Sequence, residues 1–268
     1  MKRLMTVILA VVALTAAGCG TGAPPSLLDK DEIVIGVRPD LPQVGYLNGE
    51  EFEGFDVDVA AYVADRLGKK YRLISVLASD REDVLLSGEA DLVVASYTIS
   101  EDRKQKVLFA GPYHISYQDI LIRRDEERIR NVRDLAGRRI CEVEGANAAQ
   151  RVVEERRVRA EIKSFPDYQA CLRALKENEI DAITTDDIIL AGLARQDGGG
   201  LRLANAGFNE QRSGIGMRHG DVAACEEVNR AITDMYQDGT AGKLLSKWFR
   251  GTGLETGRVA VPQFEGCS

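Results

Sequence analysis

An α/β fold in two lobes is what this sequence predicts, and two observations carry the prediction. From Glu32 onward, short β-rich runs alternate with stretches of helical periodicity, as in sheets covered by helices. The chain also repeats itself. Asp83–Ser96 (DVLLSGEADLVVAS) and Arg173–Asp186 (RALKENEIDAITTD) lie 90 residues apart and share one plan. In each, an apolar helix face leads through a polar turn containing Glu-x-Asp into a short buried strand that stops at a polar residue. Two copies of one helix–turn–strand unit imply two lobes of related build.

The elements follow in order. Ile33-Val34-Ile35-Gly36-Val37 is a continuous apolar run, expected as the first strand. Asn48-Gly49 marks a turn. Phe55, Val59, Tyr62, Val63 and Leu67 recur at helical spacing, and Gly68 stops that helix. Tyr71–Val76 is expected as a strand and Asp80–Ser87 as a helix, and the strand from Asp91 is expected to end at Ser96. Asp119–Arg123 would leave the first lobe as a strand. The second lobe would hold a strand at Arg139–Val143, helices at Ala146–Glu155 and Tyr168–Lys176, and a strand at Ala182–Thr184. Gly198-Gly199-Gly200 reads as a surface loop and Ser213–Met217 as the returning strand. Val222–Tyr236 is a long amphipathic helix, and Ala241–Arg250 a last packed helix in which Trp248 belongs to the core.

The apolar fraction of 44% and charged fraction of 29% are those of a globular chain. The N-terminus stands apart. Lys2 and Arg3 precede the apolar stretch Leu4–Ala17, too short for a membrane span of roughly 20 residues and right for a secretory signal over residues 1–18. Ala16-Ala17-Gly18-Cys19 resembles the lipobox of bacterial lipoproteins, with Ala16 where Leu is usual. That resemblance implies a lipid-modified Cys19 at the mature N-terminus, followed by a tether over 19–31.

Without residues 1–18 the basic count falls from 35 to 33 against 42 acidic residues, a net charge of −9. That balance argues against a nucleic-acid partner but leaves room for a small anion held by a local arginine cluster. Cys141, Cys171, Cys225 and Cys267 form an even set in an exported chain, which suggests two disulfides with three possible connectivities. The two histidines, His114 and His219, are far apart in sequence and no Cys/His spacing suggests zinc. No cofactor is expected.

Specific motifs carry a family resemblance. Glu53-Gly54-Phe55-Asp56-Val57-Asp58-Val59, then Ser96-Tyr97-Thr98-Ile99-Ser100-Glu101-Asp102-Arg103-Lys104, then Phe109-Ala110-Gly111-Pro112-Tyr113 open the series. Asp134-Leu135-Ala136-Gly137, Thr184-Thr185-Asp186-Asp187, and Asp238-Gly239-Thr240 before Trp248 complete it. In this order the chain from Glu32 to Gly251 resembles the polar amino-acid solute-binding proteins of ABC importers, closest to the glutamate/aspartate type. The resemblance implies the two-lobe type II fold of periplasmic binding proteins, with a hinge and a ligand cleft between the lobes. Lobe 1 would take residues 32–120 and 218–250, lobe 2 residues 121–217, and a tail residues 251–268. The partner implied is an ABC permease of the cell membrane, and the protein would act as a monomer.

An amino acid carries a carboxylate and an ammonium on one carbon, so a receptor needs an anion clamp and a cation partner. Arg103 offers a planar, always charged fork for bidentate carboxylate binding, and in the family the arginine of this Thr-x-x-x-x-Arg pattern grips the α-carboxylate. Ser96 and Thr98 bring hydroxyls to the same strand end. Asp186 ends the matching strand of the other lobe and is expected to pair with the α-ammonium, while Asp187 would point elsewhere and cap the helix Ile188–Ala194. Arg38, directly after the first strand, and Arg81, opening a helix after Ala78-Ser79-Asp80, suggest a second ligand carboxylate. Glu144-Gly145-Ala146-Asn147 departs from the family's Gly-Ser-Thr or Gly-Thr-Thr: Ala146 lacks the hydroxyl, leaving the helix N-terminal N–H groups and Asn147 as donors. Tyr46, in an altered Pro-Pro-Phe segment, is a further candidate to cover the ligand.

Within the two-lobe frame, Cys141 and Cys171 fall in lobe 2 and are expected to pair. Cys267 would then fasten the tail to the helix bearing Cys225. The expected function is capture of L-glutamate, or a related acidic or polar amino acid, by an extracytoplasmic lipoprotein that hands it to a permease. The alternatives are a cyclohexadienyl dehydratase-like enzyme on the same fold, which needs a poised acid in the cleft, or a ligand-sensing domain.

Overall fold

The apolar run at Ile33 forms β1 (Glu32–Val37), the first strand of a computed structural model that describes residues 25–254 and 260–267. The signal expected at 1–18 and the lipidation expected at Cys19 lie outside the described residues. A small antiparallel sheet follows, of β2 (Asp40–Leu41), β3 (Gly45–Asn48) and β4 (Glu51–Glu53). α1 (Phe55–Arg66) buries Phe55, Val59 and Val63 at the spacing legible in the sequence. Then come β5 (Lys70–Ser75), α2 (Arg81–Leu86), β6 (Leu92–Thr98), α3 (Glu101–Lys104) and the long β7 (Leu108–Arg123). The second half holds β8 (Arg139–Val143), α4 (Ala148–Glu154), β9 (Glu161–Phe165), α5 (Tyr168–Lys176), β10 (Ala182–Asp186), α6 (Asp187–Asp197), β11 (Leu201–Leu203) and β12 (Phe208–Met217). α7 (Val222–Gln237) and α8 (Thr240–Phe249) return to the first lobe, where both pack on α1.

Two parallel triplets make the sheet. β5, β1 and β6 form one and β10, β8 and β9 the other, and the antiparallel pair β12/β7 joins them. β7 first pairs with β12 and then, from Gln118, with β10 and β11, so one strand runs unbroken through both lobes. β12 likewise lies on β7 along its whole length and on β6 from Ser213 to Met217. Two continuous strands shared by the two lobes are the connection about which a two-lobe fold can close.

The repeat falls where symmetry requires. α2 with β6, and α5 with β10, occupy the same place in their triplets, each strand pairing with one of the crossing strands. Ser96 and Asp186 mark corresponding points of those strands.

Three departures from expectation have local causes. β7 starts at Leu108 rather than Asp119, despite Pro112, because β12 shifts register between Ser213 and Ile215 opposite that proline. β9 has no clear apolar alternation because it is a largely exposed edge strand. The tether ends sooner than residue 31: Ser26 Oγ and Leu27 N donate to Asp221 at 2.6 and 2.8 Å, and Leu27 is buried.

The cysteines form Cys141–Cys171, joining β8 to α5, and Cys225–Cys267, joining α7 to the tail, each with 5.9 Å between Cα atoms. Such bonds contribute ~2–4 kcal/mol each.

Candidate functional site

The strand ends of both lobes meet at one cavity of about 30 Å³, lined by Arg38, Arg81, Ser96, Thr98 and Arg103 from lobe 1 and Asn147 and Asp186 from lobe 2. Seven of the candidates singled out in the sequence come together there. Ala78, Ala146, Ala148, Tyr168, Thr185, Ile189 and Gln211 complete the wall.

Arg81 and Arg103 dominate the site. Arg81 opens α2 and is 3% exposed. It donates to the carbonyls of Ala78 (3.0 Å), Ala95 and Ser96 (both 3.3 Å) and, across the cleft, Gly145 (2.8 Å). Arg103, on α3, donates to the Thr98 carbonyl (2.8 Å) and to the same Gly145 carbonyl (3.0 Å). Both guanidinium groups lie against the Tyr97 ring, 4.4 and 5.1 Å from its centroid. Neither forms an ion pair among the described residues. Burial, with the charges of Arg103 and Arg38 next, pulls Arg81 below its ordinary value, and burial does the same to Arg103. Two buried cations with only carbonyl partners leave a strong local demand for an anion.

Arg38 differs from the free cation that the sequence suggests. Its Nε and one terminal nitrogen donate to the two oxygens of Asp40 at 2.8 and 2.7 Å, so its charge is already balanced. Asp40 also accepts the backbone N–H of Tyr168 at 3.2 Å, and its carbonyl accepts Gln169 Nε2 at 3.0 Å, two further contacts between the lobes.

Ser96 sits at φ +44°, a conformation unfavourable for a residue with a Cβ. Asp56 holds it there, accepting Ser96 N at 2.7 Å and Ser96 Oγ at 3.2 Å on one oxygen and Tyr113 OH at 2.8 Å on the other. The Ser96 hydroxyl proton is therefore directed at Asp56, and the carbonyl is what Ser96 offers Arg81. Burial pushes Asp56 up to about 6.

On the opposite wall Asp186 ends β10, 4% exposed, with its carboxylate accepting Ser116 Oγ at 3.3 Å. Burial pushes it up to about 6, against the pull of that hydrogen bond and of Arg151 and Arg103. Asp187 is not a cap: Asp186 holds the N-cap position and Asp187 is the first helical residue. Its carboxylate turns to Tyr117 N (3.4 Å) in a separate hollow with His114, Leu245 and Phe249, because successive residues at a strand end point to opposite faces. Burial and then the Asp186 charge push Asp187 up to about 7.

The lobe 2 loop is also corrected. Asn147 precedes α4 without capping it, but the Glu142 carboxylate already sits at that helix start and accepts Gln150 N at 2.8 Å. The helix amides expected for a ligand carboxylate thus face an internal one. Tyr46 lines no part of the cavity; it pairs in β3 with Asp40 and Glu53. The aromatic residue of the wall is Tyr168, whose hydroxyl bonds Thr185 Oγ1 at 2.7 Å. Trp248 is half-buried against the core and donates Nε1 to Asp58 at 2.7 Å, outside the cleft.

Sequence reasoning missed Asp40, Tyr168, Gln211 and the role of Gly145. Asp40 had a readable signal, an acid two residues after an arginine at a strand end. Gln211 had none, since only the pairing of β12 with β7 brings it to the cleft.

A cleft between two α/β lobes joined by two crossing strands, with paired cations on one wall and a carboxylate on the other, is a receptor geometry. The model of the family described as bacterial extracellular solute-binding proteins, family 3, matches residues 33–251. The chain belongs to that family. It is 33% identical to the glutamate-binding protein GluB of Corynebacterium glutamicum, over 89% of this chain and 86% of that one. It is 31% identical to the ABC transporter glutamine-binding protein GlnH of Bacillus subtilis, over 93% and 98%. Among solved structures it is similar to the ancestral amino acid-binding protein AncCDT-1, a precursor of cyclohexadienyl dehydratase, with a TM-score of 0.74 and 26% identity over 82% of this chain and 96% of that one. As a family 3 member, the chain has the type II two-lobe fold.

Proposed function

We propose that this protein captures an acidic amino acid, L-glutamate foremost, outside the cell membrane and delivers it to an ABC permease. The observation that carries the reading is the pair Arg81 and Arg103, buried without carboxylate partners and facing one cavity with Asp186. Arg103 takes the α-carboxylate, Asp186 the α-ammonium, and Arg81 the side-chain carboxylate, with Ala78 and Ile189 against the methylenes. Charge supports an acidic ligand. Arg38 and Asp40 cancel, and Asp56 stands behind Ser96 outside the cavity wall. Two arginines against Asp186 leave one net positive charge, which glutamate or aspartate balances and glutamine does not. The GluB likeness agrees with this, and the GlnH likeness makes glutamine the competitor to test.

Mechanism follows from the division of partners. A ligand held by Arg103 on one lobe and Asp186 on the other stabilises the closed arrangement by its extra affinity for that state. Closure buries the ligand and juxtaposes the outer faces of the two lobes, which is what a permease can read. Asp186 is the one carboxylate among the lining residues, and pairing it with an ammonium leaves no poised acid for a dehydratase, so binding is favoured over catalysis. Cys19 is the proposed lipid anchor, supported by the small residues before it.

Calorimetric titration of the protein against the twenty amino acids tests the ligand. Glutamate or aspartate should bind tightest, and binding of a basic amino acid alone would overturn the acidic reading. Release of a Cys19→Ala variant from the membrane fraction tests the anchor.

A further inference from the structure

We propose that Gln211 is a specificity-determining residue: held by Arg151, it turns an amide N–H into the cleft beside Asp186 and donates it to the ligand's α-carboxylate. The inference rests on the amino-acid reading above and adds a ligand contact from the hinge itself.

Placement comes from the strand register. Gln211 of β12 lies directly opposite Ser116 of β7. Directly opposed residues of an antiparallel pair present their side chains on one face, with Cβ atoms about 5 Å apart. Ser116 donates to Asp186, so Gln211 occupies the Asp186 end of the cavity, where it forms part of the wall at 2% exposure.

Orientation comes from donor chemistry. Arg151 stands 2.8 Å from one branch of the Gln211 amide, and a guanidinium has donors only, so that branch is the carbonyl Oε1. Arg151 is itself fixed by Glu155, Nε to Oε1 at 2.8 Å. The other branch is therefore the NH2, and the Arg151 contact is the one side-chain hydrogen bond of Gln211 among the described residues. A cation bonded to the amide carbonyl draws electron density from the nitrogen and strengthens its N–H as a donor.

The ligand group follows. A pure donor next to the ammonium partner meets the group one carbon away from the ammonium, the α-carboxylate. Arg103 would hold that carboxylate from lobe 1 while Gln211 holds it from the strand that crosses between lobes. Arg151 acts through Gln211 and is a positioning residue; its charge also helps keep Asp186 ionised.

The test is a cycle between residue and ligand group. Glutamate and glutamate α-amide are titrated against wild type, Gln211→Ala, Gln211→Glu and Arg151→Met. Gln211→Ala should weaken glutamate about 10- to 100-fold and the α-amide less, narrowing wild type's preference for the carboxylate. Gln211→Glu keeps a partner for Arg151 but opposes the carboxylate with an acceptor, so it should narrow the preference further. Arg151→Met, which keeps Gln211 but frees its amide, should narrow it to a lesser degree. Equal loss of both ligands in the two Gln211 variants, with circular dichroism unchanged, means a merely structural role and overturns the proposal. An unchanged preference in those variants overturns it too, and an unchanged preference in Arg151→Met removes the lock. Failure of wild type to bind glutamate at all sinks the acidic-ligand reading, failure to bind any of the twenty amino acids sinks the amino-acid reading and this inference with it, and tight wild-type binding with an unaltered ratio in the variants sinks this inference alone.

Discussion

Lobe 1 brings Ser96 to the cleft near the end of β6, and lobe 2 brings Asp186 at the corresponding point of β10, after helix–turn–strand units of the same plan. From there the two copies diverge. β6 continues to Thr98 and leads to α3, which carries Arg103 back into the cleft, while β10 turns at once into α6. One copy ends in a strained serine pinned by Asp56, the other in a buried carboxylate that accepts Ser116 Oγ and makes no cap hydrogen bond of its own. The consequence is a division of charge: cations on lobe 1, the acid on lobe 2. In the proposed reading neither wall alone satisfies a zwitterion, so an α-amino acid would gain its second charged partner only when the lobes meet. Splitting the recognition turns occupancy into closure.

The largest effects should come from removing either half of that division. Arg103→Ala and Asp186→Ala should each weaken binding by ~2–5 kcal/mol, because a desolvated charged group is left facing an unmatched partner. Calorimetry with unchanged circular dichroism is the check, and tight binding retained in either variant breaks the two-wall model.

A second way to test the comparison is to block the meeting of the walls without touching a charge. Gly192 of α6 lies against lobe 1 so closely that a Cβ there would stand 2.0 Å from the Pro42 carbonyl oxygen. Gly145 is as tight, with the Ser79 amide nitrogen at 2.4 Å from such a Cβ. Overpacking of this kind costs ~1–3 kcal/mol, and here it falls on closure rather than on either lobe. Gly192→Ala should lower affinity about 5- to 150-fold. Thermal stability without ligand should hold or rise, since alanine is the better helix residue by ~1 kcal/mol. Small-angle scattering should show less compaction on ligand addition than in wild type. A stability loss matching the affinity loss would mean a lobe defect and not a closure defect.

The two walls were unequally legible in the sequence. Lobe 1 was the more legible: Arg38 directly follows a strand and Arg81 opens a helix, while Arg103 was carried by the family's Thr-x-x-x-x-Arg pattern. Lobe 2 gave up Asp186 only through the internal repeat, and Tyr168 not at all, because it opens a helix whose facing partner, Asp40, lies 128 residues away. The hinge was the least legible. β7 contains Pro112 and β12 contains three polar residues in Asn209-Glu210-Gln211, so neither reads as a long buried strand. Their length is set by pairing with each other, a non-local fact. Asp40 neutralising Arg38 is by contrast a local pairing, two residues apart at a strand end, and Glu142 occupying the α4 start spans only the turn between β8 and α4.

Within lobe 1, Arg81 should set ligand choice more than ligand strength. Its fork opposes donor to donor with a glutamine side-chain NH2 but satisfies a carboxylate. Arg81→Gln should therefore erode the glutamate/glutamine affinity ratio about tenfold, more than it weakens the two ligands together. Equal weakening of both would place the side-chain carboxylate elsewhere in the cleft.

The smallest effect should come from titrating lobe 2's acid. Burial pushes Asp186 up to about 6 in the protein, and in the proposed pairing the ligand ammonium needs it ionised. The sign follows directly. Below pH 6 a proton must leave Asp186 before the ammonium can pair, so affinity falls as pH falls; well above pH 6 the carboxylate is already charged and affinity is level. From pH 7.5 to 5 the loss should be about tenfold, approaching one decade per pH unit at the acidic end. Glutamate's side chain, with an ordinary value of about 4.3, stays largely ionised across that window. Asp56, also near 6, lies behind Ser96 and would titrate in the same range. Asp186→Asn isolates its share: it should bind weakly at every pH, and the slope that remains belongs to Asp56 or to Asp187, which burial and the Asp186 charge push up to about 7. A full tenfold slope surviving in Asp186→Asn would take the pH response away from Asp186 and overturn this last part of the comparison.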